Sequence, residues 1–245
     1  MKLSVIIPSY KGAEILKNTL PGLINYLTQK GHSFEIIVVD DGSQDAGATE
    51  QVAKELNCVF VQNEINLGKG AAVRNGMWNA KGDFRIYTDA DIPFEYNAFD
   101  RFVHYLDFKE FDVVVGDRTL TDSNYYGKIS PIRKAGSNLF SFIVGRFVAG
   151  GYFDTQCGMK GFRASVANDL FSISRINGFA FDVELLHISL KRNYDIKRLP
   201  VILKSQESST VSLIRHAFGM IVDLYKIKWY QFKGAYQKVN MQDRV

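Results

Sequence analysis

Short, mostly apolar runs take turns with helix-period patterns through the first half of the chain. Leu3–Ile7 reads as a buried strand. Ile15, Leu16, Leu20, Leu23, Ile24 and Leu27 then recur at helical spacing, with Pro21 expected to kink or restart that helix. Phe34–Val39, Val59–Gln62, Phe84–Thr88 and Val113–Gly116 read as further strands; Thr49–Leu56, Gly70–Ala80 and Phe99–Leu106 read as the helices between them. The second half is less regular. Ser137–Val148 reads as an aromatic-rich helix, Phe181–Arg192 as another, and Ile196–Leu203 as a strand. The last helix, Leu213–Trp229, gathers Ile214, Phe218, Ile221, Val222, Tyr225 and Trp229 on one stripe, with Lys226, Lys228, Lys233 and Lys238 in and after it.

Strands alternating with helices imply an α/β fold, a mostly parallel sheet covered by helices. Such sheets bind ligands at the carboxyl ends of their strands. Polar residues fall at those ends: Tyr10, Asp40, Asp41, Asp89, Asp91, and Asp117 or Arg118. Packing alone does not explain why several strands deliver carboxylates to one edge.

Composition narrows little. The 245 residues are 46% hydrophobic and 23% charged, as expected for one or two folded domains. A net charge of +4 carries no functional message by itself, and no nucleic-acid partner is expected. Cys58 and Cys157 stand far apart and build no disulfide framework, which suits a reducing compartment. The run before Pro8 is too short for a signal peptide core, and Leu139–Phe153 is broken by Arg146 and glycines, so no transmembrane helix is expected. The reading is a catalytic domain over residues 1–210 and a C-terminal amphipathic helix with a basic tail over 211–245.

Three motifs carry chemistry. Asp89-Ala90-Asp91 follows a strand, where alternating carboxylates can reach one divalent cation and a ribose together; hard oxygen ligands suit Mg²⁺ or Mn²⁺. The plainer alternative is a chance Asp-x-Asp in a loop. Asp40-Asp41-Gly42-Ser43 ends an apolar strand, either accepting hydrogen bonds from a base or ribose or forming an ordinary capped turn. Asn66-Leu67-Gly68-Lys69-Gly70 opens a helix, either admitting an anion to its N-terminus or forming a plain loop with an exposed lysine.

The order VIIPSY, VVDDGS, NLGKG, TDAD resembles family 2 glycosyltransferases of the GT-A (Rossmann-like) fold. DTQCGMKGF at Asp154–Phe162 and FAFDVELL at Phe179–Leu186 are similar to the polyprenyl-phosphate branch, the dolichyl-phosphate glucosyltransferases and dolichol-phosphate mannose synthases. The resemblance covers roughly residues 3–230. It implies an inverting hexosyltransferase with a C-terminal, acceptor-side helical extension, using UDP-glucose or GDP-mannose and Mg²⁺ or Mn²⁺. The implied nucleotide-sugar site holds Pro8, Tyr10, Asp40, Asp41, Lys69, Asp89 and Ala90, with Asp91 and Asp89 on the metal. Arg118, Arg133, Ser137 and Gln156 match acceptor-side positions, and Asp182 falls where the family carries a catalytic-base or acceptor-positioning carboxylate.

A hydroxyl acceptor needs a general base, whereas a polyprenyl phosphate is already an anion and needs cations to hold it. The alternatives are transfer to a hydroxyl in polysaccharide or glycolipid assembly and, from another class, a nucleotide-sugar-binding module without catalysis. One departure matters. Where lipid-linked relatives carry a Gly-Ser-Lys element, this chain has Glu207–Ser212, leaving Arg215 as the substitute cation. The last helix fits either an anionic membrane surface or packing on the catalytic domain. The expected place of work is cytoplasmic, at the inner face of a membrane; the oligomeric state is left open.

Overall fold

The computed structural model describes residues 2–123, 150–151, 154–204 and 213–237, with side chains from residue 219 onward in the last stretch. Strands β1 (Lys2–Ser9), β2 (Ser33–Asp40), β3 (Val59–Gln62), β4 (Phe84–Thr88), β5 (Val113–Asp117), β6 (Met159–Arg163) and β7 (Ile196–Pro200) form one sheet in the order β3-β2-β1-β4-β6-β5-β7. All neighbours run parallel except β6, which is antiparallel to β4 and β5. The described helices are α1 (Ala13–Gln29), α2 (Ala48–Glu55), α3 (Lys69–Asn79), α4 (Asn97–Asp107), α5 (Ala164–Ile173), α6 (Phe181–Lys191) and α7 (Leu213–Phe232).

The expected strands and helices of the first half are all present, within a few residues at their ends. Helix α1 runs unbroken through Pro21 rather than restarting there. Leu16, Leu20, Leu23 and Leu27 are fully buried on the sheet, so packing of this face outweighs the hydrogen bond that proline forfeits. The last strand ends at Pro200, and Leu203 makes only an isolated bridge to Phe94. The expected helix Ser137–Val148 lies outside the described residues.

Strand β6 and helix α5 were not expected. In β6 the side chains alternate between the two cores: Met159 joins the core beneath α1 and α4, while Phe162 joins the one beneath α3, α5 and α6. Gly161 faces Phe102, where a Cβ would come within 3.0 Å of the ring. Lys160 therefore points into the α3/α6 side and is completely buried. A buried lysine and a glycine disguise the strand from any apolar pattern.

The chain order reverses between β1 and β4, the kind of switch point where open α/β sheets bind ligands. Because β6 runs backwards, its start lies beside the carboxyl end of β4: Thr88 pairs with Met159 and Tyr87 with Lys160. Helix α7 reaches the same body, with Ile227 buried and Leu224 and Tyr230 packed on the α3/α6 core. Among the described residues, no helix is long and apolar enough to cross a membrane.

Candidate active site

The two carboxylates at the end of β2 serve neighbouring backbone first. Asp40 is buried and accepts from the Ser43 amide at 3.1 Å and from Gln62 Nε2 at 3.2 Å, which closes the Asp-Gly-Ser turn. Asp41 is also buried. It accepts from Asn63 Nδ2 at 2.7 Å, the Leu67 amide at 3.1 Å and the Gly68 amide at 2.7 Å. Asp41 thus holds the Asn66–Lys69 loop against the strand end. Gly42, at φ +72, fits because a Cβ there would strike the backbone of Ile65 and Asn66. Above them Pro8 is half-buried and Tyr10 is half exposed, beside Lys11, whose amide donates to Ser43 Oγ at 2.6 Å.

The N-terminus of α3 is already engaged. The Gly70 amide donates to the Asn177 carbonyl at 2.7 Å, and a Cβ at Gly70 would collide with that loop. The loop is itself clamped. Arg74 donates to Ser174 Oγ, Asn177 Oδ1 and the Ile176 carbonyl, and Glu184 accepts from the amides of Arg175 and Ile176 and from the Tyr236 hydroxyl. Burial pushes the Glu184 carboxyl above its ordinary range, against the pull of those donors. Those bonds join this helix end to the Ser174–Asn177 loop. What the Asn66–Lys69 loop delivers to the end of β4 is the side chain of Lys69.

Lys69 Nζ pairs with Asp89 Oδ1 at 2.5 Å and lies 5.9 Å from the centre of the Phe181 ring. Burial opposes its charge, but Asp89, Asp182 and Asp91 together win, and its pKa is raised. Asp89 and Asp91 flank a tight turn after β4. Thr19 Oγ1 fastens this turn to α1 through the Ala90 carbonyl at 2.8 Å, and Ile92 follows at φ +41. A β-branched residue in the left-handed region is strained, and such strain gathers where a turn must aim side chains. Just before β6, a Cβ at Gly158 would lie 2.0 Å from Asp89 Oδ2. The bare backbone at 158 is what lets the Asp89 carboxylate take its place.

Beneath Asp89 lies the group that motif reading missed. Lys160 Nζ pairs with Asp182 Oδ1 at 2.5 Å and donates to the Cys157 carbonyl at 2.9 Å. The Tyr87 hydroxyl donates to the same Asp182 oxygen. Burial, then the Asp182 charge, pushes the Tyr87 pKa well up, so the hydroxyl stays a donor. Asp182 is only 3% exposed. The signal in the sequence was a lone lysine between apolar residues in Met159-Lys160-Gly161-Phe162, which a buried counter-charge explains.

Just past β5, Arg118 is held by Asp154. The Arg118 amide, Nε and Nη2 donate to that carboxylate at 2.7, 2.9 and 2.6 Å. Burial would raise the Asp154 pKa, but the Arg118 bonds prevail and lower it. Asp117, the other candidate at this strand end, is taken by Thr119 and Arg198. Gln156 is half-buried, with Nε2 3.6 Å from Met220 Sδ of α7. Arg133, Ser137 and the Glu207–Ser212 stretch lie outside the described residues, as does the side chain of Arg215.

The donor set tests the expected metal. Asp89 and Asp91 present hard carboxylate oxygens from one turn, and Asp91 is exposed. Among the described residues no group of three or more His, Cys, Asp or Glu side chains converges to cage an ion. Mg²⁺ and Mn²⁺ sites built from one or two carboxylates leave their other positions for substrate phosphates, so these residues fit such an ion.

Residues 4–171 match glycosyl transferase family 2. The chain belongs to this family. It is a glycosyltransferase, and the mostly parallel α/β sheet is the GT-A fold expected from its motifs. Among its relatives is a dolichyl-phosphate beta-glucosyltransferase of Dictyostelium discoideum, 30% identical over 96% of this chain and 76% of the relative. Another is a Drosophila melanogaster protein of the same description, 29% identical over all of this chain and 79% of the relative. A solved structure of glucosyl-3-phosphoglycerate synthase from Mycobacterium tuberculosis, in complex with Mn²⁺, UDP and glucosyl-3-phosphoglycerate, superposes with a TM-score of 0.70 at 18% identity; it covers 92% of this chain and 79% of that one. Mannosyl-3-phosphoglycerate synthase from Rubrobacter xylanophilus gives 0.68 at 17% identity, covering 98% and 77%. These two likenesses support the fold.

Proposed function

We propose that this glycosyltransferase moves a hexose, glucose first among the candidates, from a nucleotide-diphosphate sugar to a polyprenyl phosphate, with inversion at the anomeric carbon. The lipid-phosphate glucosyltransferases among its relatives support the acceptor class and the sugar. The observation that carries the reading is the placement of Asp182. A hydroxyl acceptor needs a base within hydrogen-bond reach. Asp182 is instead buried, with one oxygen shared between Lys160 and Tyr87. A phosphate acceptor brings its own negative oxygen and needs no base.

On this reading Asp91, with Asp89, would hold the Mg²⁺ or Mn²⁺, which when bound offsets charge on the donor diphosphate. Asp41 sets the loop that carries Lys69, and Lys69 orients Asp89 while adding positive charge beside the leaving group. Asp182 acts from below as a positioning residue, fixing Lys160 and the charge balance under the cleft. Arg118, with its guanidinium orientation set by Asp154, lies on the acceptor side. The acceptor oxygen attacks the anomeric carbon as the bond to the diphosphate oxygen breaks, and the nucleoside diphosphate leaves with that electron pair. A water-soluble donor and a lipid acceptor meet at a membrane boundary, which we place at the cytoplasmic face.

Paired acceptors test the reading. Labelled UDP-glucose and GDP-mannose are offered with Mn²⁺ to a short polyprenyl phosphate and to the matching free polyprenol. Label entering the lipid only with the phosphate is the expected result. Equal or greater transfer to the polyprenol would overturn it in favour of a hydroxyl acceptor.

A further inference from the structure

Helix α7 turns the wrong side outward for a helix that merely covers a domain. Its inner face is Met220, Asp223, Leu224, Ile227 and Tyr230: Ile227 is fully buried, and Asp223 lies against Gly178. Its outer face carries Ile221, Val222, Tyr225, Trp229 and Phe232, which are 60%, 38%, 70%, 47% and 81% exposed. At 3.6 residues per turn these five fall within about 100° of arc. Three exposed lysines border the stripe, Lys228 along one edge and Lys226 and Lys233 along the other. Lys233 Nζ lies 5.0 Å from the centre of the Trp229 ring. Burial, then the nearby charge of Lys191, lowers the Lys228 pKa.

We propose that this outer face of α7 docks on an anionic lipid bilayer, its aromatic stripe entering the boundary between headgroups and acyl chains while the flanking lysines meet lipid phosphates. An apolar stripe edged on both sides by snorkelling lysines matches that boundary, with the apolar centre below and the cations level with the headgroups. A second copy of the chain fits worse. A two-fold contact through the same face would bring the lysine borders of both helices together. The inner face of α7 touches the site through Met220 and Gln156, so docking holds the acceptor side of the cleft against the membrane. That consequence rests on the lipid-phosphate reading above; the docking itself does not.

The test uses the full chain and flotation with two vesicle types, pure phosphatidylcholine and phosphatidylcholine mixed with phosphatidylglycerol. The wild type should float with the mixed vesicles at least about tenfold more tightly than with the neutral ones. A Tyr225→Ser, Trp229→Ser, Phe232→Ser variant should lose about tenfold or more on the mixed vesicles. Its circular dichroism should be unchanged, and so should its transfer to detergent-dispersed polyprenyl phosphate. A Lys226→Ala, Lys228→Ala, Lys233→Ala variant should lose the preference for anionic lipid. Equal binding by the wild type and the aromatic variant would overturn the proposal, as would a wild-type dimer in sedimentation that the aromatic variant dissolves. Failure of the wild type to transfer in detergent would count against the acceptor reading alone, because flotation is read without turnover.

Discussion

Replacing Lys160 by methionine tests the buried arrangement beneath the cleft. Methionine keeps most of the side chain's length and removes its charge. Asp182, 3% exposed, would keep the Tyr87 hydroxyl but lose the ammonium 2.5 Å away. Breaking a buried ion pair from one side costs about 3–5 kcal/mol, because the surviving charge stays buried without its partner. At this chain length each kcal/mol moves the melting temperature by about 2–4 °C, so Lys160→Met should melt roughly 6–20 °C below the wild type. The double variant Lys160→Met, Asp182→Leu removes both charges and should recover much of the loss, since hydrophobic replacement of a whole buried pair is often close to neutral. Thermal melts and urea titrations of the wild type, both single variants and the double variant give the coupling energy, expected at about 2 kcal/mol or more. Additive single effects, or a Lys160→Met variant within about 1 kcal/mol of the wild type, would refute the reasoning.

Gly158→Ala should leave the melting temperature nearly unchanged, because the atom its Cβ meets is the far end of the Asp89 side chain; steady-state kinetics should still show at least about a tenfold loss in kcat/KM, since that carboxylate must swing away. Asp91→Ala should lower turnover by at least about a hundredfold across a Mn²⁺ titration, and near-normal turnover would remove Asp91 from the metal role. Cys157, buried with its thiol pushed up to about 12, should resist a thiol reagent until the protein unfolds. The Asp154 pKa is lowered in the fold, so its pairing with Arg118 stabilises above the ordinary carboxylate range and fades as pH falls through the folded value. Asp154→Asn should therefore be markedly destabilised at pH 7, and the gap to the wild type should narrow progressively in melts taken at successively lower pH below about 4.

The parts of the fold legible in the sequence were those written locally. β1, β2 and β4 are mostly apolar runs ending in polar residues, so both the strands and the edge where those polar ends gather could be read from them. Side-chain partners could not be read this way, because they come from far along the chain. Asn177, more than a hundred residues away, takes the α3 amide that looked ready for an anion. Asp154, 36 residues from Arg118, sets the guanidinium that motif reading gave to a phosphate. Asp182 was found by position in a motif, yet its burial and its tie to Lys160 follow from an antiparallel strand whose lysine and glycine hid it. The stripe on α7 was visible at once, but its direction was not: the same spacing serves a packed face or an open one, and only the burial of Ile227 on the opposite side decides.

The central claim is that the new bond forms on a phosphate oxygen of a lipid. The most direct measurement is the ³¹P spectrum of the purified lipid product after turnover with polyprenyl phosphate, UDP-glucose and Mn²⁺. The acceptor's phosphate monoester signal should give way to a phosphodiester coupled to the anomeric proton of one hexose. Lipid-bound hexose with the monoester signal intact would contradict it.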